Sequence, residues 1–83
     1  MENSRISFYS FENFREKDLV QFVPNDNHGL WVRSHWDLSK SETIGIIEPK
    51  SVLIILKIVE KDAFIMGPNG IVGWVWPDNF RKI

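Results

Sequence analysis

The last third of the chain most constrains the fold, because short apolar segments alternate there with turn residues. Val52–Val59 is rich in Val and Ile and is too short for a typical helix, which favours a strand. A Glu-Lys-Asp turn at 60–62 separates this segment from Ala63–Met66, and the hairpin signal Asn69-Gly70 precedes Ile71–Trp76. Three strands joined by tight turns, with no space for a helix between them, are typical of a small antiparallel β-barrel.

The first half of the chain shows the same pattern less strongly. Three further segments are predicted to be extended: Lys17–Val23, Leu30–Ser34 and Thr43–Ile47. Turn-forming residues at 24–29 separate the first two, and Pro49 ends the third because a residue before proline is driven to the β region. Asp37 or Ser39 can cap a single helical turn in the polar loop before the third segment.

A chain of 83 residues supports one domain, residues 1–83, that buries roughly 60% of its unfolded surface. Residues 1–16 are too aromatic for a free tail, and we interpret them as an arm or strand that pairs either within the barrel or with another copy in a homo-oligomer. The sequence contains no cysteine, no secretory-signal pattern at its start and no apolar run long enough to span a bilayer. These features predict a cytoplasmic protein without membrane association.

Several of these segments carry motifs that resemble the bacterial Src-homology-3 domain. The matching motifs are, in chain order, Leu30-Trp-Val-Arg-Ser34, Ile44-Gly45, Val52-Leu-Ile-Ile55 and Gly70-Ile-Val-Gly-Trp-Val75. The eukaryotic domain offers a second similarity, because Phe8-Tyr9-Ser-Phe11 resembles its L-Y-D-Y strand and Gly73-Trp-Val-Trp-Pro-Asp-Asn-Phe80 resembles its G-x-x-P-S-N-Y ending. The two similarities use different registers, and both imply a Src-homology-3-like barrel.

The predicted fold is therefore all-β: a small Src-homology-3-like barrel of five or six strongly bent antiparallel strands, with at most one short helical turn, near residues 78–80. The strand at 52–59 then needs a buried face. Val52, Ile54 and Leu56 alternate along it with Leu53, Ile55 and Lys57. Lys57 marks the second set as the outer face, which the N-terminal arm or a partner covers in part. We therefore expect Ile54 to be buried.

Aromatic residues form the candidate binding site. In strand register Trp74 and Trp76 lie on one face, with Pro77 just beyond, and such a surface docks proline-rich or extended peptides. The alternative for Trp74 is a place in the core. Trp36 lies in a polar loop, where an exposed indole is costly unless it binds a partner. The predicted ligand-binding residues are Trp31, Trp36, Trp74, Trp76, Pro77, Phe80 and Tyr9.

Catalytic and metal sites are not predicted. His28 and His35 lie seven residues apart across a loop and lack the spacing and supporting ligands of a metal site. The dipeptide Ser34-His35 has no oriented acid, and no helix follows the glycine turn at 67–70 to hold a phosphate. The sequence therefore predicts no enzyme and no cofactor.

Two functions fit these residues. The first is a protein- or peptide-binding module of the bacterial cytoplasm that engages a host protein and is encoded by a phage or another mobile element, a source indicated by the Ile-, Asn-, Lys- and Phe-rich composition. The second is a barrel that binds single-stranded nucleic acid by stacking bases on Trp31, Trp36, Trp76 and Tyr9. A formal net charge of −1 favours the first, since gripping a phosphate backbone needs clustered Lys and Arg.

Overall fold

The computed structural model describes Phe11 and residues 13–83, which form one antiparallel sheet of seven strands. The strands are β1 (Leu19–Phe22), β2 (Leu30–Arg33), β3 (Thr43–Ile47), β4 (Val52–Val59), β5 (Asp62–Met66), β6 (Val72–Val75) and β7 (Phe80–Lys82). They pair in the order β3-β2-β6-β5-β4-β1-β7. Two single 3-10 turns, Leu38–Lys40 and Pro68–Gly70, are the helical elements of this part of the chain. None of its helices is long and apolar enough to cross a membrane.

The all-β prediction is confirmed, and its finer details need correction. Seven strands replace five or six, because residues 78–80 do not form a helical turn: Asn79 adopts φ 58° and leads the chain into β7. Two helical turns replace one, and the first is capped by Asp37, one of the two predicted caps, through a hydrogen bond from the Ser39 N–H. The ladder of the described strands begins at β3 and ends at β7, so the sheet is not a closed barrel.

The facing of β4 is opposite to the prediction. Ile55 is buried, whereas Ile54 is only half-buried. The cause is a β-bulge: Ile55 pairs with Ile65 and Lys57 pairs with Phe64, so two residues of β4 oppose one residue of β5. The extra residue reverses the phase of the in–out alternation. Lys57 does face outward, but its orientation cannot be extended back along the strand past the bulge.

The hydrophobic core receives side chains from all seven strands. Its buried members are Phe11, Val20, Phe22, Leu30, Val32, Ile47, Leu53, Ile55, Ala63, Ile65, Val75 and Phe80. Phe11 lies ahead of β1 and stacks on Phe80 of β7 with 5.6 Å between ring centres. Phe11, eight positions before the start of β1, is therefore part of the same core as the last strand.

A close approach between β2 and β6 determines where the candidate site forms. A Cβ atom at Gly73 would lie 2.5 Å from a methyl carbon of Val32 and 2.8 Å from the Arg33 carbonyl oxygen. Only a residue without a side chain permits β2 to lie this close to β6. Gly73 thus brings Trp31 and Arg33 of β2 next to the chain that leaves β6 at Trp76.

Candidate binding site

Three tryptophans line two adjoining grooves on the protein surface. Trp31 and Trp76 line a groove of about 430 Å³, and Trp36 and Trp76 line a second groove of about 480 Å³. Pro77 contributes to both grooves. The three side chains are 59%, 47% and 50% exposed for Trp31, Trp36 and Trp76, which is high for such large apolar groups. We call Trp31, Trp36, Trp76 and Pro77 the aromatic surface.

An ion pair supports Trp76 from the protein side. The guanidinium carbon of Arg33 lies 4.4 Å from the centre of the indole ring, and Arg33 is only 7% exposed. Arg33 Nη2 donates to Asp62 Oδ1 at 2.7 Å, which ties β2 to the first residue of β5. The cation is therefore held by Asp62 while it lies over the indole ring of Trp76. Trp76 has a fixed position although half of its surface faces solvent.

The loop that carries Trp36 has a defined shape. Its two ends are joined by a pair of hydrogen bonds: the Ser34 N–H donates to the Glu42 carbonyl at 2.8 Å, and the Glu42 N–H donates to Ser34 Oγ at 3.0 Å. Asp37 Oδ1 accepts from the N–H and the hydroxyl of Ser39, and these bonds lower the pKa of Asp37. The residue after Trp36 is thus anchored as a helix cap, which limits the movement of the indole.

His28 links the loop before β2 to the segment after Pro77. Its Nε2 lies 2.7 Å from Asp78 Oδ2, and its Nδ1 is hydrogen-bonded to the Asp26 carboxylate. The two carboxylates, Asp78 first, raise the pKa of His28, because they stabilise the imidazolium. The edge of the ring also packs on Phe22 at 5.7 Å between ring centres. This link fixes the wall of the first groove beside Pro77.

The remaining predicted site residues lie elsewhere. Trp74 lines neither groove; it is half-buried and packs on Phe64 with 5.2 Å between ring centres. Phe80 is 3% exposed and packs on Phe11 and Phe22 in the core, so a ligand cannot reach it. Tyr9 lies outside the described residues.

The polar residues that hold the aromatic surface leave no signal in the local sequence. Arg33 and Asp62 are 29 residues apart in the chain, and His28 and Asp78 are 50 apart. No local sequence pattern predicts such pairs, because each pair forms only when segments distant in the chain come together. The exposed position of Trp36 in a polar loop, by contrast, could be read from its neighbours.

Comparisons with protein-family models, with curated proteins and with solved structures found no match to this chain. The Src-homology-3-like assignment therefore stays a prediction from motifs.

Proposed function

We propose that this chain is a non-catalytic module that binds a protein or peptide, with the aromatic surface as its contact site. The observation that carries the proposal is the convergence of three half-exposed tryptophans, one of them supported by the Arg33–Asp62 pair. Tryptophans of this kind dominate the binding energy of protein interfaces, and a pre-ordered side chain loses little entropy on binding. Two adjoining grooves that share Trp76 and Pro77 suit an extended segment with two apolar anchors.

The charge around the grooves favours a neutral or cationic polypeptide. The charged residues that line them are Asp37, Glu60, Asp62 and Asp78, against Arg33 and Lys61. The positive charge of Arg33 is already engaged by Asp62 at 2.7 Å. With that pair set aside, Asp37, Glu60 and Asp78 remain against Lys61 and His28, and His28 is itself bonded to Asp78. A phosphate backbone would therefore meet more acids than available cations here, which disfavours the nucleic-acid alternative.

The family assignment and the cellular setting belong to the same proposal. The motif segments that resemble the Src-homology-3 domain lie in β2, β3, β4 and β6, consistent with the extended structure that the family motifs require. The absence of cysteine supports a reducing, cytoplasmic setting, and the composition supports a phage or mobile-element source. A host protein would then be the partner.

A displayed random-peptide library provides the test. Peptides selected on the wild-type protein should bind Trp36→Ala and Trp76→Ala at least about 30-fold more weakly, a loss of ~2 kcal/mol for each anchor. Leu19→Ala is the matched control, because Leu19 is 51% exposed and lines neither groove.

Two results would contradict the proposal. One is a set of selected peptides that bind the Trp36→Ala and Trp76→Ala variants as well as the wild type. The other is submicromolar binding of mixed-sequence single-stranded oligonucleotides with a steep salt dependence, which would support nucleic-acid binding instead.

A further inference from the structure

The edge strand β3 is exposed in a way that most proteins avoid. It pairs with β2 on one side, and no other strand of the described residues pairs with its second side. Its sequence, Thr-Ile-Gly-Ile-Ile, has no charge and no proline, and Ile44 and Ile46 are 49% and 55% exposed. Such an edge presents unpaired backbone N–H and C=O groups that can pair with another extended chain.

The opposite edge of the sheet is protected. β7 has only three residues, and two of them, Arg81 and Lys82, are exposed cations. Short length and charge are the usual means of blocking strand addition. The β7 edge is therefore blocked, whereas the β3 edge is open to an added strand.

A groove lies against the second half of β3. It has a volume of about 350 Å³ and is lined by residues 45–48, by Ser51, and by the turn that contains Pro68 and Asn69. Ile71 forms part of this lining and packs so closely on β3 that a Cβ atom at Gly45 would lie 2.4 Å from its terminal methyl. An added strand would find an apolar wall beside the unpaired backbone.

The charges that flank β3 indicate the kind of strand that fits. Glu42 and Glu48 are exposed and stand immediately before and after the strand. In an antiparallel pair of two identical copies centred on Gly45, Glu42 of each copy would face Glu48 of the other. Like charges directly opposite each other destabilise strand pairing. Strand pairing therefore favours a partner with cations at these positions.

The nearby cation Lys50 cannot relieve this repulsion. Pro49 ends the extended segment, and Lys50 has a positive φ of 74°. The Lys50 N–H donates to the Phe22 carbonyl at 2.6 Å, which directs the chain away from the β3 edge toward β1. Lys50 therefore does not come into register with a strand added to β3.

We propose that β3 is a second binding site, which accepts an extended segment of a partner protein that is apolar at its centre and has Lys or Arg at both ends. The segment adds to the sheet beyond β3 as an eighth strand, with main-chain hydrogen bonds providing affinity and Glu42 and Glu48 selecting the flanking cations. This site is distinct from the aromatic surface, because Trp36 and Trp76 do not line its groove.

The probe is a fluorescently labelled peptide, KVTVTVK, compared with EVTVTVE by fluorescence anisotropy. The wild-type protein should bind the Lys-ended peptide at least about tenfold more tightly, and the double variant E42K/E48K should reverse this preference. The control E16K/N25K/I83K changes the net charge equally, at exposed residues that line neither the groove beside β3 nor the grooves of the aromatic surface, and should keep the wild-type preference. A central proline, in KVTPTVK, should abolish binding because it removes a donor and disfavours the strand.

Two further measurements distinguish this site from others. Trp36→Ala should bind KVTVTVK within about twofold of the wild type, since Trp36 does not line the groove beside β3, and that groove has no lining residue in common with the groove that Trp36 lines. Circular dichroism of E42K/E48K should match the wild type, which shows that the variant is folded. Equal binding of the two peptides would overturn the proposal, and so would a preference that is unchanged in E42K/E48K. A dimer that sedimentation detects and that E42K/E48K alters would also overturn it, in favour of a second copy as the occupant of the β3 edge.

Discussion

Two aromatic clusters of this small protein use similar side chains in opposite ways. Phe11, Phe22 and Phe80 form a core cluster in which every residue is at most 5% exposed, and the Phe80 ring centre lies 5.6 Å from that of Phe11 and 6.0 Å from that of Phe22. The tryptophans of the aromatic surface are about half exposed, and one of them, Trp76, rests on the guanidinium of Arg33. The comparison shows that aromatic content does not by itself mark a binding site. The groups that contact a ring from the protein side distinguish a core ring from a surface ring.

The physical reason is the difference between phenyl and indole side chains. Phenyl rings carry no polar atom, so the core cluster gains by excluding water completely. Indole rings carry an N–H and bind cations over their faces, so Trp76 can rest on Arg33 and keep a wet edge. The polar N–H and the cation contact that allow the indole to stay partly exposed also leave it accessible to a partner.

The largest effect should come from the core cluster. Phe80→Ala removes a ring that contacts Phe11 and Phe22, and we expect it to lower the free energy of unfolding by ~3–5 kcal/mol. Trp76→Ala removes a larger but half-exposed ring and should cost less than half as much. Urea denaturation of both variants checks this, and equal losses would break the distinction between the two clusters.

The next effect tests the β-bulge that sets the inner face of β4. Ile55→Ala empties a fully buried position and should cost ~2–5 kcal/mol, whereas Ile54→Ala, one residue earlier, should cost clearly less because Ile54 is half-buried. The two variants remove the same number of atoms from the same strand, so each is the other's control. A larger loss for Ile54→Ala in urea denaturation would show that the facing is reversed.

A third prediction concerns the support of Trp76. Asp62→Ala leaves Arg33 buried without its acid, and we expect a loss of about 2–3 kcal/mol, below the ~3–5 kcal/mol of a completely buried pair. Selected peptides should also bind this variant more weakly, since the cation beneath the indole is no longer fixed. Asp37→Ala, which removes only a helix cap, should cost ~1 kcal/mol. Similar stabilities for the two variants would mean that the ion pair does not support the surface.

The smallest effect is on pH dependence. The carboxylates of Asp78 and Asp26 raise the pKa of His28 above its ordinary 6.5, and the bond to His28 lowers the pKa of Asp26 below 3.8. The contribution of His28 to stability is therefore complete below pH 6.5 and is lost as the pH rises through the raised pKa of His28. The contribution of Asp26 to stability is present above pH 3.8 and is lost as the pH falls through the lowered pKa of Asp26.

The link at His28 should thus be strongest between pH 3.8 and 6.5. Melting temperatures of the wild type and His28→Ala, measured at about pH 5 and about pH 8, should differ more at the lower pH. A difference that does not change with pH would show that the ionised link contributes nothing to stability. His35→Ala is the control, because His35 takes no part in this link.

Much of the secondary structure could be predicted from local sequence. The β-branched run of β4 and the turn residues around it determine a strand whatever it pairs with, and Asp37 caps the turn at 38–40 through a bond to a residue only two positions away. The strand β7 could not be predicted, because Phe80–Lys82 is extended only by its pairing with β1. The facing of β4 was missed for the same reason, since a bulge is a property of two strands.

The same distinction between local and tertiary effects applies to the candidate site. The sequence by itself made all four tryptophans candidates, together with Pro77, Phe80 and Tyr9, and it indicated exposure for Trp36 because that indole lies in a polar loop. Only the tertiary structure decided that Trp76 is exposed on Arg33 while Phe80, four residues later, is buried beside Phe11. Strand alternation is set over a few residues, whereas the face that meets the core, and the charge that lies beneath a ring, depend on strands that are tens of residues apart.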